Sequence, residues 1–281
     1  MGTLYLVATP LGNLDDMTFR AIKTLQTVDL IASEDTRHTG KLLQHFQINT
    51  PQISYHDHNR LSRIPELVEK LQAGKNIALV SDAGTPGISD PGQELVAACV
   101  EQGITVVPIP GATALISALI SSGLKTDRFV FEGFLPTKGK ERQARLDLLK
   151  TETRTLILYE APHRLLATLT DLQVNLGDTR RLAVGRELTK YHEEFWYGPL
   201  DQGVSYFTNR EPKGEFCLVL EGLAPTDQPV LTPETLRTEL KALLDQGISR
   251  SQASRQLAEI TQLPRRQLYQ LSLEIESDAV L

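Results

Sequence analysis

The tightest constraint on what this chain can fold into is the segment Ser81-Asp82-Ala83-Gly84-Thr85-Pro86-Gly87-Ile88-Ser89-Asp90-Pro91-Gly92, which directly follows the apolar run 77–80. A glycine- and proline-rich loop at the carboxyl end of a strand lets a ligand approach the backbone, as the binding crevices of α/β sheets require. A second strand end carries similar punctuation: the apolar run 4–8 leads straight into Thr9-Pro10-Leu11-Gly12-Asn13-Leu14-Asp15-Asp16. The two loops read as two walls of one small-molecule crevice. Neither is a G-x-G-x-x-G fingerprint or a P-loop, so the dinucleotide and nucleoside-triphosphate readings lose their main support.

Apolar runs alternate with amphipathic stretches through the first part of the chain, the pattern of βα units. Strands are expected at 4–8, 29–32, 52–55, 77–80 and 104–109, and helices at 17–25, 39–46, 64–71 and 93–101. Gly74 and Gly103 stand where helix C-caps belong, just before the next strand. This first lobe, 1–123, ends after a small-residue helix at 112–122. A second lobe, 124–222, has a different rhythm. Strands at 129–134, 155–159, 181–184, 194–197 and 215–220 and helices at 140–150, 163–175 and 199–208 make a mixed α/β sheet. Two prolines without apolar periodicity mark 223–231 as a linker. A small helical unit, 232–281, follows, with helical spacing at 236–244, 251–260 and 265–275.

A length of 281 residues with 41% hydrophobic content can fill more than one core. No leader pattern opens the chain, and no apolar run approaches the roughly 18 residues of a membrane span. A cytoplasmic protein is expected. Cys99 and Cys217 lie in apolar segments far apart and without C-x-x-C spacing, so they read as buried, reduced thiols. A net charge of -6 argues against a generally basic nucleic-acid binder and leaves local patches open.

Placed on this framework, six motifs are similar to those of the tetrapyrrole-methylase superfamily. They are Thr9-Pro10-Leu11-Gly12-Asn13-Leu14, Ala32-Ser33-Glu34-Asp35-Thr36-Arg37-His38-Thr39, Ser81-Asp82-Ala83-Gly84-Thr85-Pro86, Pro108-Ile109-Pro110-Gly111-Ala112-Thr113-Ala114, Tyr159-Glu160-Ala161-Pro162-His163-Arg164 and Arg186-Glu187-Leu188-Thr189-Lys190. Within that superfamily the chain most resembles the ribosomal RNA small subunit methyltransferase I family. The resemblance implies a two-lobed α/β fold with S-adenosylmethionine (S-adenosyl-L-methionine) held in the trough between lobes, a small C-terminal helical module, and a homodimer. It implies 2′-O-methylation of a cytidine at the decoding centre of small-subunit (16S) ribosomal RNA. By matched motif, the cofactor positions are Pro10, Asp82, Thr85, Thr113, Ala114, Glu160 and Leu188, several acting through backbone atoms.

The chemistry asks for an in-line nucleophile, few competing waters and no metal. A ribose hydroxyl also needs a group to accept its proton. Glu34, Asp35 and Arg37 lie just beyond a first-lobe strand and Glu187 just beyond a second-lobe strand, so these four are the candidates for catalysis or RNA positioning. Asp35 or Thr36 could equally cap the following helix. His56-Asp57-His58 invites a metal reading, but on a strand the two imidazoles share one face while Asp57 points away, and no further ligand stands at a recognised spacing.

RNA affinity needs local positive charge. One basic segment, 137–154, carries Lys138, Lys140, Arg142, Arg145, Lys150 and Arg154 against Glu141, Asp147 and Glu152. Another, 249–269, carries Arg250, Arg255, Arg265 and Arg266 against Glu259 and reads as a helix-turn-helix-like RNA-binding module with a turn at 261–264. Arg164, just beyond the Tyr159-Glu160 strand end, could reach a phosphate or could equally begin a solvated helix. Two other readings compete: a methyltransferase acting on a tetrapyrrole precursor, which would not use the basic terminal unit, and a noncatalytic RNA-binding assembly factor that retains the pocket.

Overall fold

In the computed structural model, strand β4 (Ile77–Val80) is buried at all four positions, the pattern of a strand covered on both faces. It lies between β1 (Thr3–Val7) and β2 (Leu30–Ser33), with β3 (Gln52–Ser54) and β5 (Thr105–Ile109) at the edges. All four pairings are parallel, and the order is β3-β2-β4-β1-β5. Parallel strands need long crossovers, which α1 (Phe19–Thr27), α2 (Thr36–His45), α3 (Arg60–Gln72) and α4 (Gln93–Glu101) supply. The crossover from β1 runs towards β2, on one side, and the crossover from β4 runs towards β5, on the other. Their carboxyl ends therefore sit side by side at a topological switch point, where α/β sheets open a crevice.

Helix starts explain where the sequence reading was short. Asp35 caps α2 by accepting from the Arg37 N–H at 2.8 Å, so the helix begins three residues before the expected 39. Helix α3 begins at Arg60, with Pro65 inside it rather than at its first turn. The missing Pro65 N–H removes only one early intrahelical bond, and Asn59 anchors the entry by accepting from the His56 N–H and donating to the Ser54 carbonyl. Gly74 and Gly103 adopt the left-handed backbone that ends a helix, with φ of 91° and 67°.

The second sheet is mixed, as its rhythm suggested. Its order is β6 (Phe129–Gly133), β7 (Thr155–Glu160), β10 (Phe216–Leu220), β8 (Arg181–Arg186) and β9 (Glu194–Pro199), with only β6 and β7 parallel. Helices α6 (Gly139–Leu149), α7 (Leu165–Leu176) and α8 (Leu200–Thr208) bury one face through Leu146, Leu169, Leu200 and Phe207. The other face receives α5 (Ala114–Ser121): Leu115, Ala118 and Leu119 pack against Ile157, Ala183, Cys217 and Val219. Although α5 was expected to complete the first lobe, its apolar face packs on the second sheet. The two sheets belong to one compact unit, Met1–Gly222.

The other compact unit is Leu223–Leu281. The structure describes residues 1–224, 232–261 and 263–275, so the expected linker from residue 225, the middle of the 261–264 turn and the last six residues lie outside the described residues. Helices α9 (Pro233–Asp245), α10 (Arg250–Thr261) and α11 (Arg265–Leu273) close on a small core of Leu236, Leu240, Ala253, Leu257 and Leu268. No helix among the described residues is long and apolar enough to cross a membrane.

Leu218, in the central strand of the second sheet, is fully buried. Leu218→Ala should cost about 2–5 kcal/mol of stability, seen as a lower urea midpoint with an unchanged slope.

Candidate active site

The two glycine-rich loops are joined by a pair of reciprocal backbone bonds. Thr9 N–H donates to the Gly84 carbonyl at 2.8 Å and Gly84 N–H donates to the Thr9 carbonyl at 3.0 Å. The buried Thr9 hydroxyl adds a bond to the Ser81 carbonyl at 3.2 Å. Gly84 has φ +78°, and a side chain there would also press on Leu11. Close by, Gly111 lets the loop after β5 lie against Ala8, where a Cβ would come within 2.9 Å of the alanine methyl.

The loops and the second sheet enclose a cavity of about 400 Å³. Leu11, Ile88, Phe134, Leu188, Phe216 and Cys217 make much of its wall apolar. Six of the seven expected cofactor positions, Asp82, Thr85, Thr113, Ala114, Glu160 and Leu188, line it; Pro10 is buried in the first loop beside Leu11. Thr85 and Thr113 share a 2.6 Å hydroxyl contact, and the Thr85 hydroxyl also reaches the Ala112 carbonyl. The start of α5 is pinned across the cavity because Leu115 N–H donates to Tyr159 Oη at 3.0 Å. Burial pushes the Tyr159 phenol well above its ordinary range, so it stays neutral and can accept this bond.

Glu160 is buried and held by three donors. Its oxygens accept from the Ala161 N–H at 2.9 Å and the Thr168 hydroxyl at 2.6 Å, and Arg164 Nε lies 3.3 Å away. Thr168 in turn accepts from Arg142 at 3.0 Å. Arg142, expected at an RNA surface, is therefore corrected to an interior role: it is buried, paired with Asp171 at 2.7 Å and bonded to the Pro136 carbonyl. Its planar guanidinium reaches the three partners from three different nitrogens, Nε to Asp171, Nη1 to Pro136 and Nη2 to Thr168, a spread that the single nitrogen of a lysine does not have. Arg164 is likewise turned inward, donating to the Leu135 carbonyl beside Glu160.

The four candidate catalytic residues separate by environment. Only Glu34 lines the cavity, and burial, reinforced by the Asp82 and Asp57 charges, raises its carboxyl above the usual range. Asp35 faces outward; the Arg37 guanidinium and N–H beside it hold its carboxyl at about 2. It caps α2 and is not a base at neutral pH. Arg37 itself is 89% exposed. Glu187 sits just behind the Leu188 wall. Burial opposes its charge, but bonds from Lys190 at 2.9 Å and the Glu215 N–H at 3.0 Å prevail and keep it below the ordinary range. Glu187 and Thr189 both take left-handed backbone, φ 49° and 65°, which turns Leu188 into the cavity wall.

The sequence reading missed Asp90, which also lines the cavity. Burial, then the charge of Glu34, pushes its carboxyl up to about 7. The signal was present in the Gly87-Ile88-Ser89-Asp90-Pro91-Gly92 punctuation, but nothing in composition says which way a loop carboxylate points. Asp57 is paired with Arg60, and among the described residues no group of three metal-ligating side chains is found. Burial raises the thiols of Cys99 and Cys217 to about 11 and about 12.

In the first basic segment, Lys138 and Lys140 are exposed, whereas Arg145, Lys150 and Arg154 pair with Glu132, Asp147 and Glu152. In the helical unit, Arg255, Arg265 and Arg266 are exposed, Arg265 bonding the Ser251 hydroxyl, and half-buried Arg250 reaches the Ile275 carbonyl. Arg142→Ala should remove about 1.5–3 kcal/mol of stability, because it strips charged hydrogen bonds from buried partners. Chemical denaturation should show that loss, while RNA affinity stays unchanged.

Residues 3–202 match the sequence profile of the Tetrapyrrole (Corrin/Porphyrin) Methylases. A solved structure of uroporphyrin-III C-methyl transferase from Thermus thermophilus complexed with S-adenyl homocysteine is similar in fold, with TM-score 0.54 and 17% identity over 78% of this chain and 97% of that one. Ribosomal RNA small subunit methyltransferase I of Synechocystis sp. is 73% identical over 99% of this chain and 100% of its own length. The enzyme of that name from Halalkalibacterium halodurans is 48% identical over 96% and 94%. With the tetrapyrrole-methylase fold and end-to-end similarity to these relatives, the chain belongs to the ribosomal RNA small subunit methyltransferase I family.

Proposed function

We propose that this protein transfers the methyl group of S-adenosylmethionine to the 2′-oxygen of a cytidine ribose in the decoding centre of small-subunit ribosomal RNA. The observation that carries the reading is the gathering of Asp82, Thr85, Thr113, Ala114, Glu160 and Leu188, from four separate segments of the chain, on one cavity at the switch point of the first sheet. About 400 Å³ of largely apolar space suits a nucleoside joined to an amino acid. Gly84, without a side chain and in left-handed backbone, leaves room for such a ligand against the loop. S-adenosylmethionine supplies a methyl group already activated on a cationic sulfur.

The residues of this chain supply position and field. Glu34 and Asp82 put negative charge on the cavity wall, which favours a cationic ligand. Phe134, Leu188 and Phe216 keep water from competing with the ribose oxygen. Lys138 and Lys140 on the first unit and Arg255, Arg265 and Arg266 on the helical unit are the candidates for phosphate contact. The names of the full-length relatives favour this reading over a tetrapyrrole substrate. Exposed Ile116, Ile120 and Tyr197, the last bonded to the Ser121 carbonyl, form an apolar strip that supports a homodimer, and light scattering should then give twice the chain mass. The buried thiols suit the reducing cytoplasm.

The test is to incubate the purified protein with methyl-labelled S-adenosylmethionine and small ribosomal subunits that lack their native modifications, then map the label by nuclease digestion and mass spectrometry. Label on the ribose of a decoding-centre cytidine is expected; label on a base, or none beside a working positive control, contradicts the reading. The double reversal Arg265→Glu with Arg266→Glu should weaken subunit binding and lower its salt slope by about 2. Its affinity for S-adenosylmethionine should be unchanged.

A further inference from the structure

Asp90 is a charged side chain on the cavity wall to which neither the motifs nor the family resemblance gives a task. Asp90 projects from a loop with left-handed backbone at Gly87, Ser89 and Gly92, φ 83°, 62° and 156°. Ser89 is the informative member, because a non-glycine residue in that region is retained only where the surrounding structure over-determines it, and such residues gather at functional sites. The loop is closed on itself, since a side chain at Gly92 would meet the Gly87 backbone at 3.1 Å and Leu79 at 3.0 Å. The buried Ser81 hydroxyl, at the end of β4, donates to the Ala83 carbonyl at 3.3 Å, and its dipole favours the charged form of Asp90 without outweighing burial.

Glu34 and Asp82 line the cavity with Asp90, and the charge of Asp57, which is paired with Arg60, also bears on it. Glu34 follows β2, Asp57 follows β3 and Asp82 follows β4, and all three are acidic. His56, also after β3, bears on Glu34. Among the described residues neither Asp90 nor Glu34 forms an ion pair, unlike Asp35 with Arg37 or Glu187 with Lys190. Two half-buried carboxylates without a cation cannot both ionise cheaply, and one of them holds its proton into the neutral range. The result is a carboxylate on the cavity wall whose basicity suits proton transfer near pH 7.

We propose that Asp90 is the general base that accepts the proton of the attacking ribose hydroxyl, with Glu34 as the neighbouring charge that keeps it basic. The inference rests on the ribose-methylation reading above. In the step, the ribose O–H bond breaks and its proton passes to an Asp90 carboxylate oxygen. The oxygen electron pair forms the new O–CH3 bond, and the S–CH3 bond breaks with its electrons left on sulfur, which becomes a neutral thioether. The acid is regenerated as carboxylate by proton loss to solvent. No metal, oxidant or second reactant is needed to balance it.

The test is a single-turnover rate on unmodified small subunits at saturating S-adenosylmethionine, measured from pH 5.5 to 9 for the unaltered protein, Asp90→Asn and Glu34→Gln. The unaltered protein should speed up with rising pH and level off, with a midpoint near the value of about 7 set for Asp90. Asp90→Asn should lower the plateau by about 10²- to 10⁴-fold and abolish the inflection. Its affinities for S-adenosylmethionine by calorimetry and for subunits should stay within about twofold. Glu34→Gln should move the midpoint to lower pH, a shift that a merely structural role would not produce. Folding is checked separately. A carboxyl raised in the folded state costs stability as pH climbs from the ordinary carboxylate range to about 7, so Asp90→Asn should melt no lower than the unaltered protein at pH 8. An unchanged rate and inflection in Asp90→Asn, or a loss confined to S-adenosylmethionine affinity, would overturn the proposal. If the unaltered protein places no label on ribose, the ribose-methylation reading fails first, on a result that does not involve the variants.

Discussion

Two backbone hydrogen bonds between Thr9 and Gly84 are the joint on which the site depends. They tie the loop after β1 to the loop after β4 at the one place in the sheet where the crossovers diverge. The joint works because Gly84 can take φ +78° without a steric cost and because Thr9 is buried, so its polar groups are satisfied inside the protein. Once these loops are locked, the first-sheet wall of the cavity is defined. The opposing wall is positioned by α5, whose apolar face packs on the second sheet and whose first turn donates to Tyr159.

Acidic residues around this cavity show how environment assigns roles to one chemical type. Asp35 caps a helix and pairs with Arg37, and its carboxyl is held at about 2. Asp90, half-buried among other acids, is pushed up to about 7 by burial and by Glu34. Glu160 is satisfied by three donors and leads back through Thr168 to Arg142. The first is a helix cap, the second a proton acceptor, the third a fixed part of the wall. None of these distinctions depends on the residue type itself; each follows from which donors and which charges the fold brings near.

Much of this was legible in the sequence. Period and punctuation located the strands and most helix ends, because burial on two faces leaves an unbroken apolar run such as 77–80 and helices stop at glycines such as Gly74 and Gly103. The motif series marked six residues that do line the cavity. Orientation was not legible. Arg142 reads as one more base in a charged helix, and only tertiary packing turns it towards Asp171 and Thr168. Helix α5 is apolar on several sides, so its sequence does not say which sheet it covers. Asp90 is one of several loop carboxylates until Ser89 and the flanking glycines aim it.

We propose that the switch-point cavity holds the methyl donor with its reactive end towards Glu34 and Asp90. A crystal structure of the protein with S-adenosylhomocysteine tests this most directly. The ligand is expected among Asp82, Thr85, Thr113 and Leu188, with its sulfur on the side of the cavity that Asp90 lines. A ligand bound outside this cavity, or one inside it with the sulfur turned away from both carboxylates, would contradict the account.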